Sequence, residues 1–223
     1  MDNIKLLIVD DQHLVRMGLV HMLRDISGLE VVGEAENGEQ ALDTVLHLIS
    51  TEKTPDVVLM DLRMPGMGGL ETTRLLTQRY PRINVIAVTG CTDILFPQRF
   101  LDSGALGFIT KESSIDEMVK AILSVSRGKR YVSQGIAQEL ALYAVNKPSD
   151  ESPFEELSDR ELQIAFMVMD SIKTADIARS LKVSPKTVHT YRYRLFEKLN
   201  IKNNMELAML ASCHGLLEAN DAR

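Results

Sequence analysis

In the first half of the sequence, four apolar runs are followed directly by side chains that could do chemistry. Asp61 closes the run Val57–Met60 and precedes a stretch rich in Gly and Pro, which cannot continue a regular element. The other three runs end in Asp10 and Asp11, in Thr89, and in Lys111. Because the carboxyl ends of parallel strands lie along one edge of a sheet, we expect these five side chains to meet at that edge.

The expected cluster contains three carboxylates, one ammonium group and one hydroxyl, which together suit phosphate chemistry. Three crowded carboxylates cannot all stay ionised without a cation, and an oxygen-rich site favours Mg²⁺. A carboxylate beside that ion can attack phosphorus and form an acyl phosphate, while Lys111 meets a phosphoryl oxygen and Thr89 supplies a hydroxyl. The sequence therefore predicts that Asp61 is a phosphoryl acceptor.

Strand-like and helical patterns alternate five times before residue 127, as in a doubly wound parallel sheet. The predicted strands are apolar runs bounded by turn residues: Ile4–Val9, Leu29–Ala35, the run ending at Asp61, Ile83–Thr89 and Gly107–Thr110. The predicted helices repeat apolar residues every three or four positions: Gln12–Asp25, Gly38–Ser50, Leu70–Tyr80, Asp93–Ser103 and Ile115–Ser126. We therefore predict an α/β domain with a five-stranded parallel sheet that carries the acidic cluster.

Linker signals indicate that this chain of 223 residues, with a net charge of −6, contains two domains. One more helical stretch covers Ser133–Val145. Asn146–Pro153 follows with two prolines and no hydrophobic side chain, which favours a flexible linker. We predict a first domain at residues 1–127, a linker helix and flexible linker at 128–153, and a small all-α domain at 154–223.

The composition excludes several classes of protein. With 45% hydrophobic and 25% charged residues, the sequence is typical of a globular protein. No apolar run reaches the ~20 residues of a membrane span, and the N-terminus lacks the pattern of a secretion signal. Cys91 and Cys213 lie far apart, and their spacing suits neither a disulfide framework nor a metal site. We therefore expect a cytoplasmic protein with no membrane association.

The segment from Lys173 to Lys198 is basic, with seven Lys or Arg residues against two acidic residues. It contains two short helical patterns separated by a tight turn, and Ser184-Pro185 marks the start of the second helix. Such a pair is typical of a helix-turn-helix whose second helix enters the major groove of DNA. A plain helical hairpin with an exposed basic face is the alternative. We expect base contacts from His189, Thr190 and Tyr193 and phosphate contacts from Lys186, Arg192, Arg194 and Lys198.

Residues 3–127 resemble the receiver domain of two-component response regulators, whose fold is flavodoxin-like. The resemblance rests on the motifs Asp10-Asp11, Met60-Asp61, Met64-Pro65-Gly66, Thr89-Gly90 and Gly107-Phe108 before Lys111. It implies that Asp61 accepts a phosphoryl group from the phosphohistidine of a sensor histidine kinase. It also implies that Mg²⁺ is held by Asp11, Asp61 and the carbonyl of Arg63, with Asp10 reaching the ion through water.

The receiver resemblance also implies a switch. Phe108 occupies the place of the aromatic ring that reorients when the threonine, here Thr89, moves toward the phosphoryl group held by Lys111. Many receivers carry a proline after the lysine, whereas Glu112 follows it here. We therefore expect a different local peptide geometry at that position and the same chemistry.

Residues 157–201 resemble the C-terminal domain of the NarL/FixJ family, a four-helix unit of the LuxR type. The run Ser184–Leu199, with Ser152-Pro153-Phe154 and Leu157-Ser158 before it, is similar to the GacA/UvrY-type branch. The resemblance implies a transcription regulator that binds double-stranded promoter DNA, works with RNA polymerase, and forms a homodimer when phosphorylated or bound to DNA. In this branch the activated promoters are those of small regulatory RNAs.

Two details of the C-terminal domain stay open. Ser171 stands where the wider family usually has Gly at a helix end, which leaves room for a different turn. Residues 204–215 form a last helix, which in the family pairs two DNA-binding domains. Packing of this helix within its own domain is the alternative.

Two other functions fit parts of the sequence. A Mg²⁺-dependent phosphohydrolase with Asp61 as nucleophile would need a second acid to activate water, and the residue two positions on is Arg63. A regulator that senses a small ligand through its N-terminal domain would need an apolar pocket in place of a charged one. We therefore expect a phosphorylation-switched DNA-binding regulator and not an enzyme.

Overall fold

The computed structural model describes residues 3–90, 95–138, 141, 152–214 and 216. The chain divides into two compact units, one formed by Met1–Gly90 with Pro97–Ala137 and the other by Cys91–Phe96 with Gln138–Arg223. Several predictions fall at least partly outside the described residues: Cys91, the start of the helix Asp93–Ser103, most of Ser133–Val145 beyond residue 138, and the linker as far as residue 151. Among the helices that are described, none is long and apolar enough to cross a membrane.

The first unit is built on a parallel sheet of six strands in the order β2-β1-β3-β4-β5-β6. The strands are β1 Ile4–Val9, β2 Leu29–Ala35, β3 Val57–Asp61, β4 Asn84–Thr89, β5 Gly107–Thr110 and β6 Tyr131–Val132. The predicted doubly wound α/β fold is confirmed, with one strand more than the five expected. β6 pairs with β5 over two residues, which is too short a run for a recognisable pattern. It carries the sheet past residue 127, into the segment that the sequence assigns to the linker region.

Helices connect the strands of this sheet. They are α1 His13–Arg24, α2 Gly38–Ser50, α3 Gly69–Arg79, α4 Leu95–Asp102 and α5 Ile115–Val125. One buried cluster joins α1 and α5 to alternate residues of the strands, including Leu6 and Ile8 of β1. All five residues of β3 are buried, as expected for a central strand covered on both faces, and this explains its unbroken apolar pattern.

The second unit is helical in its described part. A 3-10 turn at Pro153–Glu156 precedes four helices: α6 Asp159–Met169, α7 Thr174–Ser180, α8 Pro185–Lys198 and α9 Asn204–Cys213. The unit has its own apolar core, to which Phe154, Ile164 and Leu207 contribute fully buried side chains. Helices α7 and α8 form the predicted helix-turn-helix.

Three described residues of the second unit adopt the left-handed backbone conformation after helix ends: Ser171, Lys182 and Asn200. Lys182, between α7 and α8, has a φ of 54°, which produces the tight turn of the helix-turn-helix. Ser171, two residues after α6, has a φ of 58°. The turn after α6 therefore has a conformation that Gly adopts more easily, although the sequence places a serine there.

Candidate functional site

The sheet brings the predicted acidic cluster together at the carboxyl ends of β1 and β3. One oxygen from each of Asp10, Asp11 and Asp61 lies within 4.8 Å of the other two. Asp10 and Asp61 are buried, whereas Asp11 is exposed. The Lys111 Nζ lies 3.0 Å from Asp10 Oδ2 and 3.1 Å from Asp61 Oδ2. The ammonium group thus bridges the two buried carboxylates.

The electrostatics of the cluster centre on Asp61. Burial raises the pKa of the Asp61 carboxyl from 3.8 to about 7, opposed by the Lys111 ammonium and supported by the Asp10 and Asp11 carboxylates. Burial acts to lower the pKa of Lys111, but the carboxylates of Asp61 and Asp10 outweigh it, so that the pKa is raised. A further cation beside the carboxylates would favour the ionised Asp61, which is the nucleophilic form.

The strands β4 and β5 supply the remaining residues of the predicted site. Thr89 is buried at the end of β4, where its carbonyl accepts a hydrogen bond of 2.8 Å from the Lys111 N–H. Phe108 is fully buried on β5, and its ring meets that of Phe100 on α4 edge-to-face, with centroids 6.2 Å apart. In this structure, therefore, the Phe108 ring packs inside the first unit.

The helix α8 presents a polar face to solvent. It begins after Ser184, whose side chain accepts a hydrogen bond of 3.1 Å from the Thr187 N–H. Its apolar stripe is buried through Val188 and Leu195. The opposite face is exposed and carries all three predicted base-contacting residues and two of the predicted phosphate-contacting cations: Lys186, His189, Thr190, Tyr193 and Arg194. The large aromatic side chain of Tyr193 is 70% exposed.

Comparisons with known proteins agree with this geometry in both units. Residues 6–123 match the response regulator receiver domain, and residues 155–211 match the luxR family of bacterial regulatory proteins. The response regulator GacA of Pseudomonas aeruginosa is 50% identical over 216 residues, which cover 97% of this chain and 99% of GacA. The response regulator UvrY of Escherichia coli is 44% identical over 216 residues, which cover 97% of each chain. The chain belongs to the GacA/UvrY-like response regulators.

Solved structures agree with the fold of this response regulator. RcsB of Salmonella enterica serovar Typhimurium, bound to the rprA promoter with the phosphate mimic BeF₃⁻, is 21% identical with a TM-score of 0.69. That similarity covers 95% of this chain and 99% of RcsB. A LuxR-family response regulator from Aurantimonas is 34% identical with a TM-score of 0.59, over 65% of this chain and 99% of its own. None of these matches supports the alternative of a phosphohydrolase.

Sequence reasoning missed a buried arginine that holds the acidic cluster of this response regulator. Arg16 on α1 is 5% exposed, and its Nη1 donates a hydrogen bond of 2.6 Å to the Asp10 carbonyl. Its guanidinium also lies 3.3 Å from carboxylate oxygens of Glu34 and Glu36. A signal existed in the sequence, because Arg16 shares a helix face with the core residue Leu19. A charged residue on an apolar face needs partners.

The loop that follows Asp61 is held by a second residue that the sequence did not indicate. Glu39, at the start of α2, accepts a hydrogen bond of 2.8 Å from the Met67 N–H. The Arg63 N–H donates a hydrogen bond to Asp61 Oδ1, with 3.4 Å between the nitrogen and the oxygen. Gly66, with a φ of 73°, makes the turn between them. These contacts fix the position of the Arg63 peptide relative to the acidic cluster.

Two cations of α8 that the sequence predicts as phosphate contacts form hydrogen bonds within the second unit in this structure. The Lys198 Nζ lies 2.7 Å from Glu161 Oε2 and 2.9 Å from the Glu156 carbonyl. The Arg192 guanidinium donates to Thr174 Oγ1 at 3.2 Å and to Asn204 Oδ1 at 2.9 Å. Both groups are therefore engaged within the second unit, whereas Lys186 and Arg194 project from its surface.

Proposed function

We propose that this response regulator is a phosphorylation-switched activator of transcription. Asp61 accepts a phosphoryl group from the phosphohistidine of a sensor kinase, and the phosphorylated protein binds promoter DNA through α8. The observation that carries this proposal is the cluster of Asp10, Asp11 and Asp61 within 4.8 Å, with the Lys111 ammonium bridging its two buried members. No neutral or apolar ligand would suit such a site.

The donor set of the cluster fits a Mg²⁺ ion, because it consists of carboxylate oxygens close enough to share one cation. The carboxylates of Asp11 and Asp61 and the carbonyl of Arg63 would bind the ion. Asp10 would reach the ion through water, as the resemblance to receiver domains implies. When bound, the ion supplies positive charge that lowers the pKa of Asp61 and neutralises the phosphoryl oxygens.

The position of Lys111 beside Asp61 supports the following proposed transfer step. An Asp61 oxygen attacks the phosphorus of the phosphohistidine, so that a P–O bond forms while the P–N bond breaks and the imidazole leaves with its electron pair. The Lys111 Nζ, 3.1 Å from Asp61 Oδ2, meets a phosphoryl oxygen of the product. The Thr89 hydroxyl moves toward another phosphoryl oxygen, and the Phe108 ring reorients with it.

Phosphorylation of Asp61→Asn by a small phosphodonor in Mg²⁺ tests the chemistry. The amide keeps the shape of the side chain but removes the nucleophile and a metal ligand, so we expect no labelling. Asp43→Asn, at an exposed position of α2, is the matched control and should be labelled like wild type. Mass spectrometry of the intact protein gives the stoichiometry. Full labelling of Asp61→Asn would place the chemistry at another residue.

For the DNA-bound state we propose that His189, Thr190 and Tyr193 enter the major groove. They lie on the exposed face of α8, opposite the buried stripe. Replacing one of them with Ala should cost about 1–3 kcal/mol on a duplex selected by the wild-type protein and little on scrambled DNA. Equal losses on both duplexes for the His189 and Tyr193 variants would show that α8 does not read the bases.

The exposed cations Lys186 and Arg194 are proposed to contact phosphates. Each Ala substitution should weaken binding to every duplex and reduce the salt slope by about 0.9. Arg192 already donates hydrogen bonds to two side chains of its own unit. Its phosphate contact therefore stays a prediction, which the salt dependence of DNA binding by Arg192→Ala tests.

We propose further that phosphorylation releases the C-terminal domain, dimerises it, or does both. The predicted linker Asn146–Pro153 joins the domains through polar residues and prolines, which would allow their relation to change. A phosphoryl group that favours one state by about 2 kcal/mol would shift the populations about 30-fold. A dimer would require inverted half-sites about one helical turn apart. Identical DNA affinity and oligomeric state before and after phosphorylation would contradict this proposal.

The partners proposed for this response regulator are a sensor histidine kinase, double-stranded promoter DNA and RNA polymerase. The 50% identity to GacA and 44% identity to UvrY support promoters of small regulatory RNAs as the targets. Mapping of bound sites across the genome, with wild type and with Asp61→Asn, tests this. Binding at those promoters should depend on Asp61, and an unchanged map would refute the dependence.

A further inference from the structure

Lys198 is the last residue of α8, and its side chain belongs to a polar cluster with Glu161, Ser158 and the Glu156 carbonyl. Its Nζ donates to Glu161 Oε2 at 2.7 Å and to the Glu156 carbonyl at 2.9 Å. The side chain of Glu161 is 5% exposed, and that of Lys198 is 37% exposed. The carboxylate is therefore the buried partner, and the lysine is the cation that compensates its charge.

The same carboxylate oxygen also holds the start of α6. Glu161 Oε2 accepts hydrogen bonds of 2.9 Å from the Ser158 N–H and from the Ser158 hydroxyl. Ser158 Oγ in turn accepts a hydrogen bond from the Glu161 N–H, which completes a capping box. One oxygen thus joins the first turn of α6 to the last residue of α8, which are 37 residues apart in sequence.

The Glu156 carbonyl adds a third segment to this cluster. Glu156 ends the 3-10 turn Pro153–Glu156, where the chain enters the second unit. That turn is anchored in the core by Phe154, which is fully buried and lies edge-to-face with the His214 ring, with centroids 6.0 Å apart. The Lys198 ammonium consequently binds two segments of the second unit, the entry turn and the N-terminus of α6.

We propose that Lys198 is a positioning residue, which fixes the C-terminal end of the recognition helix α8 against Glu161 and Glu156 and so sets where its reading face lies. It acts on DNA binding through the orientation of α8 and not through a phosphate contact. The proposal rests on the proposed DNA-binding function. It distinguishes Lys198 from Lys186 and Arg194, which share its charge and its helix.

Burial of Glu161 favours a positioning role for Lys198. Two donors of its ammonium are already committed to Glu161 and to the Glu156 carbonyl, and a phosphate contact that drew the ammonium away would leave the carboxylate buried without a cation. The hydrogen bonds from Lys198 and Ser158 already hold the pKa of Glu161 below its usual value against the opposing effect of burial. Lys186 has no such constraint, because its side chain lies on the exposed first turn of α8.

The dependence of DNA binding on salt separates the two roles. The full-length protein, activated with beryllofluoride and Mg²⁺, is titrated onto a duplex that wild type selects from random sequences and onto a scrambled duplex. Lys186→Ala and Arg194→Ala should each lower the salt slope by about 0.9 and weaken both complexes. Lys198→Met should lose roughly tenfold affinity for the selected duplex, keep its affinity for the scrambled one, and leave the salt slope unchanged.

Glu161→Gln provides the decisive companion variant, because it keeps the Lys198 charge and changes a buried group. If Lys198 acts by position, Glu161→Gln reproduces the loss of Lys198→Met, and the double variant loses no more than either single variant. If Lys198 were a phosphate contact, Glu161→Gln would release it and leave binding equal or tighter. A salt slope that falls by about one unit in Lys198→Met also overturns the proposal.

A measurement on the wild-type protein covers the case in which Lys198→Met fails to fold. The rates of acylation of Lys186 and Lys198 by an amine-reactive ester are compared with and without the selected duplex. DNA should protect Lys186 strongly and leave the rate at Lys198 unchanged, and equal protection of both would overturn the proposal. If wild-type protein bound neither duplex, the proposed DNA-binding function itself would be refuted. The two assays therefore distinguish a failure of the proposed function from a failure of the role given to Lys198.

Discussion

At the scale of single residues, the chemistry proposed for Asp61 conflicts with the folding stability of the protein. The carboxyl group is 2% exposed, and its pKa is raised to about 7 by burial. Phosphoryl acceptance needs the ionised form, which burial disfavours when no metal ion is bound. A nearby cation resolves the conflict, because it favours the ionised form at neutral pH.

This conflict predicts that Asp61→Asn stabilises the metal-free protein above neutral pH. The folded-state pKa of about 7 lies above the reference value of 3.8, so between these values the folded protein holds a proton that the unfolded chain releases. The free energy of unfolding of wild type therefore falls as the pH rises from 4 to 7, by about 1.4 kcal/mol for each unit of pKa shift at most. Asn does not titrate, so the advantage of the variant should grow from pH 5 to pH 8.

Thermal unfolding of both proteins in a chelating buffer measures this difference, with Asp43→Asn as a control at an exposed site. Added Mg²⁺ should raise the melting temperature of wild type more than that of Asp61→Asn. A constant difference between the two proteins across this pH range would contradict the assignment of a raised pKa to Asp61.

At the scale of elements, the start of α3 approaches the backbone of Asp61 so closely that only glycine fits. A Cβ at Gly69 would overlap the carbonyl oxygen of Asp61. We expect Gly69→Ala to destabilise the first unit by about 1–3 kcal/mol, because backbone atoms must move. Gly18→Ala is the matched control, since open space surrounds that position on α1, and it should stabilise by about 0.5–1 kcal/mol. Equal melting temperatures for the two variants would refute the close approach.

The turn after α6 gives a second prediction at this scale. Ser171 has a φ of 58°, in the region that costs L-residues roughly 1 kcal/mol and glycine almost nothing. Ser171→Gly should therefore raise the melting temperature of the second unit, by an amount that corresponds to about 0.5–1 kcal/mol. Ser171→Ala keeps a Cβ and should bring no gain. A destabilised Ser171→Gly would show that the serine side chain contributes more than its backbone strain costs.

At the scale of the whole molecule, each compact unit has its own buried core. We therefore expect two calorimetric transitions in the full-length protein. Mg²⁺ should raise only the transition of the first unit, because the acidic cluster lies there. Lys198→Met should lower only the transition of the second unit. A single transition that moves with both changes would show that the units unfold together.

The sequence by itself determined the fold class and which side chains form the acidic cluster at the edge of the sheet. Apolar runs bounded by turn residues mark the buried strands, apolar residues at every third or fourth position mark the buried side of a helix, and both signals are local. The ends of the strands are readable for the same reason, so the positions of Asp10, Asp61 and Lys111 along the chain suffice to predict that they share one edge of the sheet. The two-residue strand β6 is not predictable in this way, because two residues carry no period.

Only the tertiary structure decided which polar side chains meet. Lys198 and Lys186 look alike on the sequence of α8, yet one compensates a buried carboxylate on α6 and the other faces solvent. Arg16 donates to the Asp10 carbonyl because α1 packs against β1 and β2. Periodicity records that a residue faces inward or outward, but the partner of a charged group depends on how separate elements pack. That packing brings together residues far apart in sequence, and it is settled only when the chain folds.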